Sequence, residues 1–325
     1  MSKAICIHQY GGPEVLCWEE VEVGEPDAGQ IKIRHRAVGL NYIDVYHRTG
    51  LYPLPSLPWT PGMEAAGYIE ALGEGVTNLK VGDHVAYASP PVGAYAETRI
   101  IPADRVVVLP GTIDDQTAAA MMLQGMTAQY LLRRTYRVQA GDVILLHAAA
   151  GGVGLIMVQW ARHLGATVIG TVGNDEKAEL VAAHGCHHVI TYTRENFTER
   201  VRDITDGQGV AVVYDSVGKD TFMDSLDCLQ PMGMMVSFGN ASGPVSTFDP
   251  AILAAKGSLF LTRPTLMTYT AKRADLVAGA TELFEVVRQG VVKIEVHQSY
   301  PLSDAEQAHR DLEARKTTGS TVLLP

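Results

Sequence analysis

Cysteine is scarce: Cys6, Cys17, Cys186 and Cys228 lie far apart in 325 residues, without a C-x-x-C pair. That excludes a disulfide scaffold. With no secretory leader visible ahead of the first strand-like run, it fits reduced thiols in the cytoplasm. Long apolar runs are missing too. No stretch approaches the roughly 18–20 continuous apolar residues of a membrane span, so a membrane-spanning role is excluded. Basic side chains are in deficit, 26 Lys and Arg against 36 Asp and Glu, for a net charge of -10. No Lys/Arg run and no interleaving of aromatic with basic residues is visible. The general electrostatic attraction that nucleic acids and anionic membranes exploit is therefore absent.

What the chain has is apolar material, 46% of residues with 19% charged, enough for two cored domains. From Lys3 to about Arg105, short strand-like runs such as Gln30–Arg34 and Gly67–Glu70 are separated by Gly/Pro punctuation, the pattern of an all-β, barrel-like module. An Ala/Met-rich helix follows from Asp114, with acidic residues in its first turn. Beyond it, apolar strands at Val143–His147, Val168–Val172, His188–Tyr192, Val210–Asp215, Met234–Phe238 and Ser258–Thr262 alternate with helical segments. Repeated β-α units of this kind build a doubly wound parallel sheet. A helix through Val286–Arg288 and a strand at Thr321–Leu324 fit the first module better. The expected division is 1–125 with 265–325 for the barrel domain and 126–264 for the β-α insertion.

Strand Val143–His147 runs into Ala148-Ala149-Ala150-Gly151-Gly152-Val153-Gly154 and then an apolar helix. Small residues at such a turn let the backbone approach a pyrophosphate, the helix start supplies N–H groups, and Gly154 permits close helix–strand packing. A tight turn without a ligand would look similar, but the strand-turn-helix setting at the head of the β-α series favours a dinucleotide site. The second strand ends at Gly173-Asn174 without the carboxylate that usually binds an NAD ribose. Lys177, one helical turn beyond Gly173, and Tyr192, at the end of the third strand, can instead converge on a 2′-phosphate, which favours NADP(H). Asp175 leaves NADH tolerance open.

Six segments together resemble the medium-chain dehydrogenase/reductases, specifically the zinc-free, zeta-crystallin-like quinone oxidoreductase family. They are Asn41–Tyr46 with Gly50–Tyr52, Pro61–Gly67, Val81–Val85, Ala148–Gly154, Tyr214–Gly218 and Phe238–Gly243. The resemblance spans the whole chain. It implies an α/β protein with a GroES-like β-barrel catalytic domain, a Rossmann cofactor domain and an active site in the cleft between them. It also implies NADP(H) contacts at Gly151, Gly152, Val153, Gly154, Gly173, Asn174, Lys177, Tyr192, Ser216, Phe238, Gly239, Asn240, Arg263 and Arg315. Asn41, Tyr42, Tyr46 and Tyr130 would face the nicotinamide. Ala241 stands where relatives carry Ser, which weakens any hydrogen bond there.

Zinc alcohol dehydrogenases of this fold place Cys, Gly-His-Glu and a further Cys or Asp around the metal. Here Asn41 and Met63 stand at the first two positions, and the four-Cys structural lobe is missing, so no metal is expected. Glu64 and the eleven histidines then default to structural or surface roles. Without a Lewis acid, hydride transfer to a plain ketone would leave an alkoxide unsupported. A quinone delocalises the arriving charge and needs only donors and stacking, which Asn41, Tyr42, Tyr46 and Tyr52 can supply as the catalytic group. Each tyrosine alone would read as a packed core residue; their clustering in one segment is what singles them out. An NADPH-dependent enone or enoyl reductase is the alternative. A nucleotide-dependent single-stranded RNA-binding role, to which zeta-crystallin relatives are linked, runs against the acidic charge. The apolar edge strand Gly257–Thr262 points to a homodimer.

Overall fold

The computed structural model describes residues 2–325. They form two compact units, one comprising the chain up to Met126 with Thr270–Arg288 and Ile294–Pro325, the other Thr127–Tyr269 with Gln289–Lys293.

The first unit opens with the antiparallel pair β1 (Ser2–Cys6) and β2 (Cys17–Val21). In β3 (Gln30–Leu40) the period-2 alternation sends Ile31, Ile33 and His35 inward while Arg34 and Arg36 face water. Helix α1 (Tyr42–Thr49) follows at once. Asn41 is its N-cap residue, and the Asn41 backbone N–H donates to Asp44 Oδ2 at 2.9 Å. Gly50 ends the helix at φ +80°, the left-handed conformation that a residue without Cβ takes most cheaply. Strands β4 (Glu64–Leu72), β5 (His84–Ala88), β6 (Thr98–Pro102) and β7 (Val107–Val108) complete this part. They pack around Ile5, Ile31, Ile33, Ile69, Tyr87, Tyr95 and Ile101. The expected acidic helix start is at Asp114, whose carboxylate accepts from the Thr117 N–H at 2.8 Å and caps α2 (Asp115–Tyr130).

The second unit alternates strand and helix: β8 (Val143–Leu146), α3 (Gly152–His163), β9 (Thr167–Val172), α4 (Asp175–Ala183), β10 (His188–Thr191), α5 (Phe197–Ile204), β11 (Val210–Asp215), α6 (Phe222–Asp227), β12 (Leu229–Ser237), α7 (Ala251–Ala255), β13 (Phe260–Thr262) and α8 (Leu266–Tyr269). The six strands are parallel in the order β10-β9-β8-β11-β12-β13, the doubly wound arrangement that binds ligands beyond the strand carboxyl ends, where the order reverses between β8 and β11. β12 begins five residues before the expected Met234. Its extra residues pair through Leu229 with Val210 across a register shift, and Met232 at φ +60° lies in that irregular stretch.

The chain then returns to the first unit through α9 (Arg273–Arg288), β14 (Val296–Pro301), α10 (Ala305–Glu313) and β15 (Ser320–Leu324). β15 inserts between β14 and β3, closing the seven-stranded sheet β14-β15-β3-β4-β5-β7, with β6 on β3.

Candidate functional site: a dinucleotide turn and an Asn-Tyr cluster

The second unit places the glycine turn where the sheet order reverses. The apolar strand β8 stops at Leu146, Ala148 adopts φ +53°, and the Gly151 N–H closes the turn onto the Ala148 carbonyl at 3.0 Å. Gly151 is the N-cap of α3, so the first N–H groups of that helix look outward from the turn. A Cβ on Gly154 would lie 2.5 Å from both the Ala148 and Ala149 carbonyl oxygens, so only glycine lets the helix sit this close to the strand end. Ser216 follows β11 on the other side of the reversal. Gly239 packs on the Ser216 backbone, and the Ala241 N–H reaches the Ser216 carbonyl at 3.1 Å. Asp215, fully buried, holds this loop by accepting from the Val217 and Gly218 N–H groups and the Thr221 hydroxyl.

Beyond β9, the ring of Tyr192 covers Gly173, whose absent Cβ would be 3.1 Å from the phenol oxygen. The Asn174 side chain accepts from the Lys177 N–H at 2.9 Å and caps α4, which brings Lys177 into the first turn beside Gly173. Asp175 is gripped by Arg194 through two bonds, 2.9 and 2.5 Å, and both side chains are exposed. Phe238, Gly239 and Asn240 follow β12, and Arg263 follows β13 and donates to the Ser237 carbonyl at 2.8 Å. Tyr130 stacks on Tyr269 with centroids 4.5 Å apart, and burial lifts its phenol well above the ordinary range. Tyr130 on α2 apart, the candidate residues of this unit thus follow the carboxyl ends of the strands of one sheet. The small residues, the outward N–H groups and the Lys177 cation fit a phosphorylated dinucleotide.

The first unit gathers the remaining candidates on and beside α1. Tyr46 lies against Tyr42 at 5.5 Å and against Tyr52 at 5.0 Å between ring centroids. Burial pushes the Tyr42 hydroxyl above its ordinary range, with the Glu313 charge adding to the shift and Arg315 opposing it. Arg315 is therefore close enough to Tyr42 to be felt electrostatically; it sits just beyond α10 at φ +58°. Under the helix runs a buried polar string. Tyr95 donates to Asp44 Oδ2 at 3.0 Å and lies 3.1 Å from His309 Nε2, while Arg48 reaches His309 Nδ1, the Gly11 carbonyl and Glu313. Desolvation raises Asp44 to about 7 and lowers His309 to about 3.

Glu64, expected in a structural or surface role, is not on the surface: it is fully buried against Asn41. Asn41 Nδ2 donates to Glu64 Oε2 at 2.6 Å, and Gln124 Nε2 donates to Asn41 Oδ1 at 3.1 Å. Its signal in the sequence is a carboxylate opening an otherwise apolar strand, Glu64-Ala65-Ala66-Gly67. Gln124 and Ser320 carried no such signal; only the packing of α2 on β15 reveals them. These donors do not fit zinc. Asn41 holds neighbouring side chains through both amide atoms, and Met63 is a buried thioether. No group of three or more His, Cys, Asp or Glu side chains able to hold a metal occurs among the described residues. No helix among them is long and apolar enough to cross a membrane.

Residues 27–111 match the alcohol dehydrogenase GroES-like domain and residues 152–278 the zinc-binding dehydrogenase family. A quinone oxidoreductase of Pseudomonas aeruginosa is 52% identical over the full length of both chains. A 2-haloacrylate reductase of a Burkholderia species is 48% identical over all of this chain and 99% of its own. The crystal structure of Escherichia coli quinone oxidoreductase complexed with NADPH superposes with a TM-score of 0.98 at 48% identity, covering 99% of this chain and 100% of that one. By these full-length identities and its two family domains, the chain belongs to the quinone oxidoreductase family of zinc-free medium-chain dehydrogenases/reductases.

Proposed function

We propose that the chain is an NADPH-dependent quinone oxidoreductase that works without a metal. The observation that supports this most directly is the full-length identity of about half to quinone oxidoreductases, one of them solved with NADPH, with which the glycine turn of the second unit and the zinc-unsuited Asn41 cluster of the first agree. NADPH supplies the hydride; the quinone takes up two electrons with it and a second proton from solvent. Gly152, Val153 and Gly154 would hold the pyrophosphate by backbone N–H groups, and Gly151, whose own N–H closes the turn, would let it approach, with Ser216, Phe238, Gly239, Asn240 and Arg263 around the adjoining loops. Gly173, Asn174, Lys177 and Tyr192 receive the 2′-phosphate. Asn41, Tyr42, Tyr46 and Tyr52 position the acceptor and donate to its oxygens, while Tyr130 and Arg315 complete the cofactor contacts.

A second reading has its own support, because a relative of nearly equal identity is named for reducing a 2-haloacrylate. The hydrogen-bond donors of the Asn41 cluster would stabilise an enolate as readily as a phenolate. We also propose a cytoplasmic homodimer, supported by four unpaired cysteines and by the edge strand β13, where Phe260 is 58% exposed. The deciding experiment follows NADPH oxidation with 1,4-benzoquinone beside NADH and beside 2-chloroacrylate. Fastest turnover with NADPH and the quinone is expected; faster turnover with the acrylate moves the assignment to double-bond reduction.

A further inference from the structure

Glu64 has no task in the reaction as described, yet it sits at 0% exposure on β4 with a chain of polar side chains leading away from it. Its Oε1 accepts from the Leu123 N–H in the middle of α2 at 2.6 Å, and its Oε2 accepts from Asn41 Nδ2 at 2.6 Å. Gly39 makes the space: any Cβ there would run into Glu64 Oε2 and the Ala119 carbonyl. The chain continues from Asn41 Oδ1 to Gln124 Nε2, and from Gln124 Oε1 to the Ser320 hydroxyl at 2.7 Å. Ser320 Oγ also lies 3.0 Å from the Ala120 carbonyl.

This string has two polarities. With Glu64 ionised, every partner points a proton toward it: Ser320 donates to Gln124, Gln124 to Asn41, and Asn41 to Glu64. With Glu64 protonated, its O–H must find an acceptor. The backbone N–H of Leu123 cannot serve, so Asn41 must turn its Oδ1 to the carboxyl. Gln124 then turns as well, and Ser320 gives its proton to Ala120 instead. Each state satisfies every hydrogen bond, and each puts a different atom of the Asn41 amide on its two sides.

We infer that Glu64 is a positioning residue for quinone reduction, fixing the side-chain amide of Asn41 so that its nitrogen is the donor to the acceptor oxygen. The inference rests on the proposed reading of Asn41. Burial raises the Glu64 carboxyl to about 8, so the two polarities exchange within an accessible pH range. The titratable groups facing it are Asp44 on α1, Tyr87 on β5 and Tyr95. Asp44 is raised to about 7, and both phenols are held above their ordinary range by burial.

Glu64→Gln copies the protonated state at every pH: its carbonyl takes the Leu123 N–H, and its NH2 faces Asn41 and turns it. The expected result is a loss of about 100- to 1,000-fold in kcat with benzoquinone, the size of one lost donor, with NADPH Kd and Tm near wild type. The rise of kcat through about pH 8 disappears with it. In an Asn41→Ala background the same change costs less than about twofold, because the residue it acts through is gone. Equal losses in both backgrounds, or an unchanged kcat, overturn the inference. A second readout does not depend on turnover. The Asn41 side-chain amide signals in a nitrogen-15 spectrum, assigned by their loss in Asn41→Ala, shift with pH around 8 in the wild type and in Asp44→Asn. Absence of that shift, or its loss in Asp44→Asn, overturns the inference even if Glu64→Gln does not fold. Absence of quinone turnover in the wild type with the shift intact refutes the proposed function alone.

Discussion

Gly154→Ala and Gly151→Ala should part company, although both add one methyl group to the same turn. At Gly154 the new Cβ falls 2.5 Å from two backbone carbonyl oxygens and 2.7 Å from the Ala149 carbonyl carbon, nearly an ångström short of ordinary contact. Backbone cannot swing aside as a side chain would, so α3 must retreat from β8. Overpacking of this kind costs ~2 kcal/mol, and a displaced helix start loses its aim at the pyrophosphate, weakening NADPH binding by about 30-fold. At Gly151 the single close atom is the Ala148 carbonyl oxygen at 3.3 Å, and φ −78°, ψ 170° suits alanine. The free protein should therefore melt near the wild-type temperature, while its new methyl intrudes on the face that the phosphates approach and weakens NADPH binding by about tenfold or more. Thermal melts with and without NADPH, together with fluorescence titration, separate the two. The reasoning fails if Gly154→Ala melts and binds like the wild type, or if Gly151→Ala binds NADPH normally.

Other substitutions test the remaining parts. Lys177→Ala should raise the KM for NADPH by about 10- to 100-fold and leave NADH nearly unchanged, because it removes one charge-assisted bond to the 2′-phosphate; equal effects on both cofactors would contradict the assignment. Arg194→Ala frees the Asp175 carboxylate beside that phosphate and should reduce the preference for NADPH over NADH by about 5- to 30-fold, read from the ratio of kcat/KM values, without moving Tm, since exposed pairs contribute little stability. Asp44 rises from 3.8 to about 7 on folding, so between these values the unfolded chain has released a proton that the folded one keeps; its contribution is whole at acid pH and is lost as pH climbs through about 7. Asp44→Asn should accordingly flatten the fall of Tm across that window, and an unchanged slope would place the titration elsewhere.

The parallel sheet was the most legible part of the chain, because each of its strands is an apolar run closed by glycine or a polar turn, and the order of a doubly wound sheet follows from its crossovers. Asn41 and the three tyrosines were legible as a cluster, since a single helix carries Tyr42 and Tyr46 on neighbouring turns and Tyr52 lies just beyond its end. Lys177 could be placed from its distance to Gly173. Asn174 was expected at the cofactor; the cap it provides for α4 adds a local reason for an asparagine there. Glu64 shows locally only as a carboxylate opening an apolar strand, while its partners Gln124 and Ser320 were not legible, because three elements remote in sequence bring them together and neither has a local pattern. The Asp175–Arg194 pair escaped for the same reason, as it joins the start of α4 to the turn after β10 rather than lying in one motif.

The returning strand β15 has a consequence for how the protein is made. Leu40 pairs with Thr321, and Ser320 meets Gln124 from 196 positions away, so the sheet beneath Asn41 lacks its last two strands, β14 and β15, until the whole β-α unit has been synthesised. Emerging from the ribosome, the β-α unit has all six of its parallel strands contiguous and free to pair, while the first unit waits with the Val38–Leu40 end of β3 uncovered beside the stretch that β6 already pairs. Cofactor capture can thus precede the docking of β15, leaving a nascent species that holds nucleotide but presents an exposed edge to chaperones and to other chains.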